Sequence, residues 1–354
     1  MSVITNTPQS SREDAQNLSL SCVVRFDEEV GERQHISCGL SDATGLLHAM
    51  HRFAFAWGCG VVVPPPSDLL AAQHNAGSHI AATVWWSRYY NLSSWPQFLR
   101  RLPADRLTCT THKDSAAAAT PGWMTDWLSR AHPPRCKLKV LSIPTVSAYV
   151  ERASLTRHAQ QGPHAALLPD HLSTWRHGTA MNVKFDPSKY ALRPSEQVLS
   201  ASGRIKALLG LSHYLGVHLR RGDKLYVGRA FIQARDNSSE TWRACTAPAV
   251  VVANVRRLQD AMEQQLGRKM DDVFVATDEV ESGYLRQLRA ELRCFFKRVV
   301  LESDVPSALL NVDRYFNFAV MMTVVHDAAG RMDYHPHMRY QVRCSESARC
   351  DARA

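Results

Sequence analysis

Tyr214-Leu215-Gly216-Val217-His218-Leu219-Arg220-Arg221-Gly222-Asp223-Lys224 runs from an apolar stretch straight into a knot of charge. The first six residues predict a buried strand. Asp272-Val273-Phe274-Val275-Ala276-Thr277 has the same form, bounded by Asp271 before it and Asp278-Glu279 after it. Between the two lie a polar stretch, read as a long loop over 220–247, and a helix over 248–266. Val251, Val255, Leu258 and Met262 share one face of that helix. Downstream, the spacing predicts a helix over 280–292 with Val280, Tyr284, Leu288 and Leu292 on one face, then a strand over 295–301. A last helix over 312–328 is apolar nearly all round (Phe316, Phe318, Val320, Met321, Val324) and should be buried. This alternation implies a parallel sheet with right-handed crossovers. Ligands of such sheets bind beyond the carboxyl ends of the strands. Both His218–Lys224 and Ala276–Asp278 fall there.

The residue types at those two ends suit an anionic ligand. Strand alternation puts His218 and Arg220 on one face and Leu219 on the other. Arg220, Arg221 and Lys224 concentrate positive charge, and the planar guanidinium fork can hold phosphate oxygens bidentately. Asp223 is placed to pair with one arginine and fix its rotamer, while Gly222 lets the backbone turn sharply. A solvated salt-bridge cluster is the competing reading. Asp278 can accept two hydrogen bonds from the ring N–H and exocyclic amine of guanine. It also immediately precedes a helix, so an N-cap is its competing role.

The first half of the chain is less regular. Val23–Phe26 reads as a strand. Gly39-Leu40-Ser41-Asp42-Ala43-Thr44-Gly45 reads as a turn opening a helix with Leu46, Met50, Phe53 and Trp57 on one face. Val61–Val63 is a short strand ended by three prolines, and Val140–Ile143 another strand. Residues 104–122 are Ala/Thr-rich and read as loop. The net charge of +9 suits an anionic partner. Aromatic and basic residues are not interleaved as in single-strand binders, which argues against nucleic acid. No apolar run reaches the roughly 20 residues that span a bilayer, and Met1–Leu18 shows no signal-peptide pattern. The nine cysteines form no C-x-x-C pair, so neither a zinc site nor a disulfide pattern can be read from them.

Residues 214–224 resemble the first donor-binding motif of the fucosyltransferase family that includes protein O-fucosyltransferases, α1,6-fucosyltransferases and rhizobial nodulation enzymes. Val273–Asp278 resembles that family's second motif, a strand ending Ala-Thr-Asp. Gly39–Val63 is similar to the turn, helix and strand on its acceptor side, and Phe185-Asp186-Pro187-Ser188 to the lead-in to the first motif. The resemblance implies an α/β fold of two Rossmann-like domains facing a cleft (GT-B-like), with GDP-fucose as donor, a protein or glycan hydroxyl as acceptor, inversion at the sugar carbon, and no cofactor or metal. It implies that Arg220 holds the β-phosphate and acts as the catalytic residue. His218 would contact the phosphates or ribose, Arg221 and Asp223 would support Arg220, and Thr277 and Asp278 would complete the donor site, with Asp278 reading guanine. Gly39, Asp42 and Gly45 are the acceptor-side candidates. The family works in the secretory pathway.

Two departures stand out. The family's Gly-Gly-x-Gly-Asn turn is missing from Gly39–Gly45, and no general base is evident; His48 and His51 are more naturally helix-flank residues. The family's serine-rich third motif is also missing after residue 329. The expected organisation is a flexible tail over 1–20, an acceptor-side domain over 21–190, a GDP-sugar-binding domain over 191–329, possibly incomplete at its C-terminus, and an irregular tail over 330–354. In that tail His335, His337 and Cys344 are read as irregular chain rather than a metal site.

Overall fold

The structure, a computed structural model, describes residues 22–26, 39–40, 43–44, 47, 60–70, 75, 77, 80–93, 95, 98–99, 108–112, 138–143, 192–222 and 238–334. It divides into two units, Met1–Arg193 and Pro194–Ala354. Each unit carries its own all-parallel sheet, so the fold class is α/β.

In the first unit, β1 (Cys22–Phe26) and β2 (Gly60–Val62) are followed by the short helix α1 (Pro66–Leu69), β3 (Tyr90–Asn91), β4 (Phe98–Leu99), β5 (Thr108–His112) and β6 (Leu138–Ile143). The sheet order is β4-β2-β1-β6-β5, with every pairing parallel. Trp86, Tyr89 and Trp95 are fully buried among the described residues, and the Trp86 indole N–H donates to Pro64 O at 2.8 Å. Two expectations change here. The Ala/Thr-rich stretch contains β5, whose three threonines are β-branched and suit a strand. The stretch Gly39–Gly45 is not a turn throughout. Leu40, Ala43, Thr44 and Leu47 have helical backbone, and the Ala43 N–H donates to Gly39 O at 3.0 Å. Leu40, Ala43 and Leu47, at i, i+3 and i+7, are buried together, which is what starts the helix directly after Gly39.

The second unit begins with β7 (Arg193–Pro194), which straddles the boundary, and α2 (Glu196–Leu208), capped by the Ser195 hydroxyl accepting from Val198 N–H at 3.3 Å. β8 (Tyr214–Leu219), α3 (Ser238–Cys245), α4 (Pro248–Leu266), β9 (Asp272–Thr277), α5 (Ser282–Leu292), β10 (Arg298–Leu301), α6 (Arg314–His326) and β11 (Gly330–Tyr334) follow. The sheet order is β10-β9-β8-β11, again all parallel. Alternation along β8 sorts the two layers. Leu215, Val217 and Leu219 pack with Val251 and Val255 of α4 and with Tyr284 and Leu288 of α5. Full burial of each such aliphatic side chain contributes about 1.5–3 kcal/mol. On the opposite face β8 meets α6 closely. A Cβ on Gly216 would stand 2.4 Å from Val325 O, so only glycine admits the helix at that distance.

Three further expectations are corrected in this unit. Segment 330–354 does not start as irregular chain, because Gly330–Tyr334 is β11, a full partner of β8. The stretch 220–247 is not loop throughout, because α3 occupies its end. Val280 does not belong to the buried face of α5; it precedes the helix and is 83% exposed. Among the described residues no helix is long and apolar enough to cross a membrane. Cys245 and Cys294 are both disulfide-bonded.

Candidate functional site

The parallel register of β8, β9 and β11 brings three strand ends level: Leu219 lies beside Thr277 on one side and Tyr334 on the other. The chain leaves β8 there through Arg220, whose backbone is held at both groups. Its N–H donates to Tyr334 O at 3.2 Å, and its carbonyl accepts from the Trp242 indole N–H at 3.1 Å. Trp242 comes from α3, in the stretch read as loop. Tyr334 is itself fixed, its hydroxyl donating to Cys245 O at 3.0 Å and meeting the Asn254 amide at 3.0 Å. Two elements that the sequence reading missed therefore set the position of Arg220.

His218 projects to the α6 side of the sheet. Its Nδ1 lies 2.7 Å from Asp333 Oδ1, and its ring meets Phe318 edge-on at 5.7 Å between centroids. The imidazole is mostly covered, with 12% of the side chain exposed, while Asp333 is 46% exposed.

Arg221 points the other way and is buried. It forms an ion pair with the buried Glu279, lies 4.0 Å from Glu281, and stacks its guanidinium over the Tyr284 ring at 3.9 Å. The Tyr284 hydroxyl donates to Thr246 O at 2.6 Å, and burial pushes its pKa up against the pull of Arg221. The carboxylate that holds Arg221 is thus Glu279, while Asp223, expected to pair with an arginine, lies outside the described residues. Glu279 also accepts the Val280 and Glu281 N–H groups on Oε1, each at 2.8 Å, so one carboxylate organises both the arginine and the entry to α5.

Asp278 does not cap α5, whose N-cap residue is Glu281. Instead its Oδ1 accepts from the backbone N–H groups of Arg221 at 2.6 Å and Gly222 at 2.8 Å, tying the end of β9 to the turn after β8. Thr277 donates its N–H to Glu302 Oε2 at 2.9 Å and accepts from Glu279 N–H on its hydroxyl at 3.1 Å. Glu302, just beyond β10, has its pKa pushed up from 4.5 to about 7. Burial is the main cause; the Thr277 N–H and His218 pull it down, and Asp278 adds to the rise.

The second unit therefore brings together His218, Arg220, Arg221, Thr277 and Asp278 at the carboxyl ends of β8 and β9, while Asp223 and Lys224 lie outside the described residues. Of the residues expected on an acceptor side Gly39 is described, and the nearby Thr44 hydroxyl lies 2.5 Å from the Tyr90 hydroxyl. Burial pushes the Tyr90 phenol up to about 12. Asp42, Gly45, His48, His51, His335, His337 and Cys344 lie outside the described residues. Glu279, Glu302, Trp242 and Asp333 are the site residues that sequence reasoning missed. Glu279 alone carried a signal, as a carboxylate directly after the Ala-Thr-Asp strand end. Among the described residues no group of His, Cys, Asp and Glu is arranged to hold a metal ion.

No family model matches the chain, and no curated protein matches its sequence. Among solved structures the chain is similar to POFUT1 in complex with GDP, at 10% identity and a TM-score of 0.42, over 91% of this chain and 94% of that one. It is similar to the apo form of POFUT1 at 10% identity and a TM-score of 0.44, over 93% and 95%. For POFUT1 in complex with GDP-fucose the values are 13% and 0.33, over 92% and 95%. At these identities and TM-scores the reading of function rests on this chain's own residues.

Proposed function

We propose that the chain is a glycosyltransferase of the O-fucosyltransferase-like kind. It binds GDP-fucose at the carboxyl ends of β8 and β9 and transfers fucose, with inversion and without a metal, to a protein or glycan hydroxyl. The observation that carries this reading is the pinned backbone of Arg220, held by Tyr334 and Trp242 between two flanking strand ends. A guanidinium carried on a backbone fixed there can take diphosphate oxygens bidentately. In the reaction the acceptor oxygen attacks C1 of fucose, the bond from C1 to the β-phosphate oxygen breaks, and the acceptor hydroxyl's proton passes to solvent water. Arg220 stabilises the charge that gathers on departing GDP. Asp278 combines two tasks, anchoring the turn and accepting from guanine, since a carboxylate offers about four lone-pair sites. The disulfides at Cys245 and Cys294 agree with folding in an oxidising compartment, as in the secretory pathway.

A second reading is a GDP-sugar-binding protein without turnover. It is favoured by the sequence after β11, where His335-Pro336-His337-Met338 offers no serine pair to close over the phosphates. Titration calorimetry with GDP, GDP-fucose, ADP and UDP in EDTA tests both readings. Selective binding of the guanine nucleotides supports the site, and its absence in a folded sample overturns both. Release of GDP from GDP-fucose then separates enzyme from silent binder.

A further inference from the structure

His218 faces a carboxylate supplied by a different strand. Its Nδ1 is 2.7 Å from Asp333 Oδ1 across the β8–β11 pair, and Phe318 of α6 packs against the ring edge. An ionised carboxylate only accepts hydrogen bonds, so the proton between them sits on Nδ1. In the neutral imidazole this leaves Nε2 without a proton and able only to accept. Three elements converge on one ring: β8 carries it, β11 selects its tautomer and α6 limits its rotation. Nothing in the reading of Arg220 as the phosphate holder uses this arrangement.

We propose that Asp333 is a positioning residue that locks His218 in the Nδ1–H tautomer, so that Nε2 accepts a hydrogen bond from a hydroxyl of the bound ligand. The ligand class is a hydroxyl-bearing nucleotide or nucleotide sugar; the inference rests on the nucleotide reading given above. In its neutral form the Nδ1–H imidazole offers Nε2 only as an acceptor, which a sugar hydroxyl can satisfy and an ionised phosphate oxygen cannot. The hydroxyl belongs either to the ribose or to the transferred sugar.

The test uses the full chain. The ring-nitrogen NMR shifts of His218, measured at about pH 8 where an ordinary imidazole is neutral, report the tautomer in wild type, D333A and D333N. Wild type shows Nδ1–H. D333A moves toward Nε2–H, and D333N returns to Nδ1–H, because the amide oxygen still accepts. Asp333 is half exposed, so these variants keep the fold, which a thermal melt checks. In parallel, affinities for GDP, 2′,3′-dideoxy-GDP and GDP-fucose are compared. A ribose contact makes wild type prefer GDP over the dideoxy nucleotide by about tenfold. A contact to the transferred sugar appears instead as a preference for GDP-fucose over GDP. In either case D333A loses the preference and D333N keeps it. The inference is overturned if D333A retains the Nδ1–H tautomer, or if it changes tautomer with the preference intact. If wild type binds none of these nucleotides, it is the nucleotide reading that falls; the tautomer comparison still decides whether Asp333 orients His218.

Discussion

Asp278 and Gly222 are locked together: Asp278 Oδ1 accepts the Gly222 N–H at 2.8 Å, and a Cβ on residue 222 would stand 2.3 Å from the Asp278 carbonyl oxygen. The contact is backbone against backbone, so no side-chain rotation relieves it. G222A should therefore push the turn off the end of β9, costing about 1–3 kcal/mol of stability and weakening GDP binding. Urea unfolding and calorimetry measure the two effects. A G222A protein with wild-type stability and affinity would show that the turn is not held this way.

The buried Arg221–Glu279 pair should behave asymmetrically. Removing one partner with E279A leaves the buried guanidinium only the half-exposed Glu281, 4.0 Å away, and should cost about 3 kcal/mol in urea unfolding. E279Q should cost less, because its amide oxygen can still accept the Val280 and Glu281 N–H groups that Glu279 Oε1 holds. The double variant R221M/E279Q should recover part of the loss, since no unpaired charge remains.

R220A should keep the contacts to Tyr334 and Trp242, because these use only the backbone of residue 220. It should abolish release of GDP from GDP-fucose. R220K should keep partial GDP binding without the bidentate geometry. Full turnover by R220A would remove this residue from the reaction.

Glu302 gives the fold a pH dependence of definite sign. Its folded-state pKa, about 7, lies above the ordinary 4.5, so the folded chain binds the extra proton between those values. Its contribution to stability is therefore most favourable at or below about pH 4.5 and declines as pH rises toward 7. E302Q, which keeps an acceptor for the Thr277 N–H, should remove this slope. The melting-temperature difference between E302Q and wild type should grow in favour of E302Q from pH 5 to 7. A difference that stays constant across that range would rule out titration of Glu302.

Much of the second unit was legible because its signals are local. β8, β9 and α4 lie where their apolar runs and 3.6-residue period place them. β11 was not legible. Arg331 and Asp333 interrupt its apolar pattern, as a strand at the edge of the sheet among the described residues tolerates. The pairing that makes it a strand also comes from β8, 115 residues away at His218–Asp333. Glu279 failed in the same way, since its charge partner, Arg221, sits 58 residues earlier. Val280 was misplaced because an apolar residue at helical spacing looks the same two residues before a helix as within it. In the first unit, the helical spacing of Leu40, Ala43 and Leu47 was hidden behind the glycines that suggested a turn.

β8 lies inside the sheet only once Gly330–Tyr334 has joined it. During synthesis the hydrogen-bonding edge of Tyr214–Leu219 must wait unpaired while more than a hundred residues are added, which makes this pairing a slow, non-local step of folding. A nascent chain stopped ahead of Gly330 would carry its charged strand end on an open apolar edge, the kind of surface to which chaperones and other unfinished chains adhere.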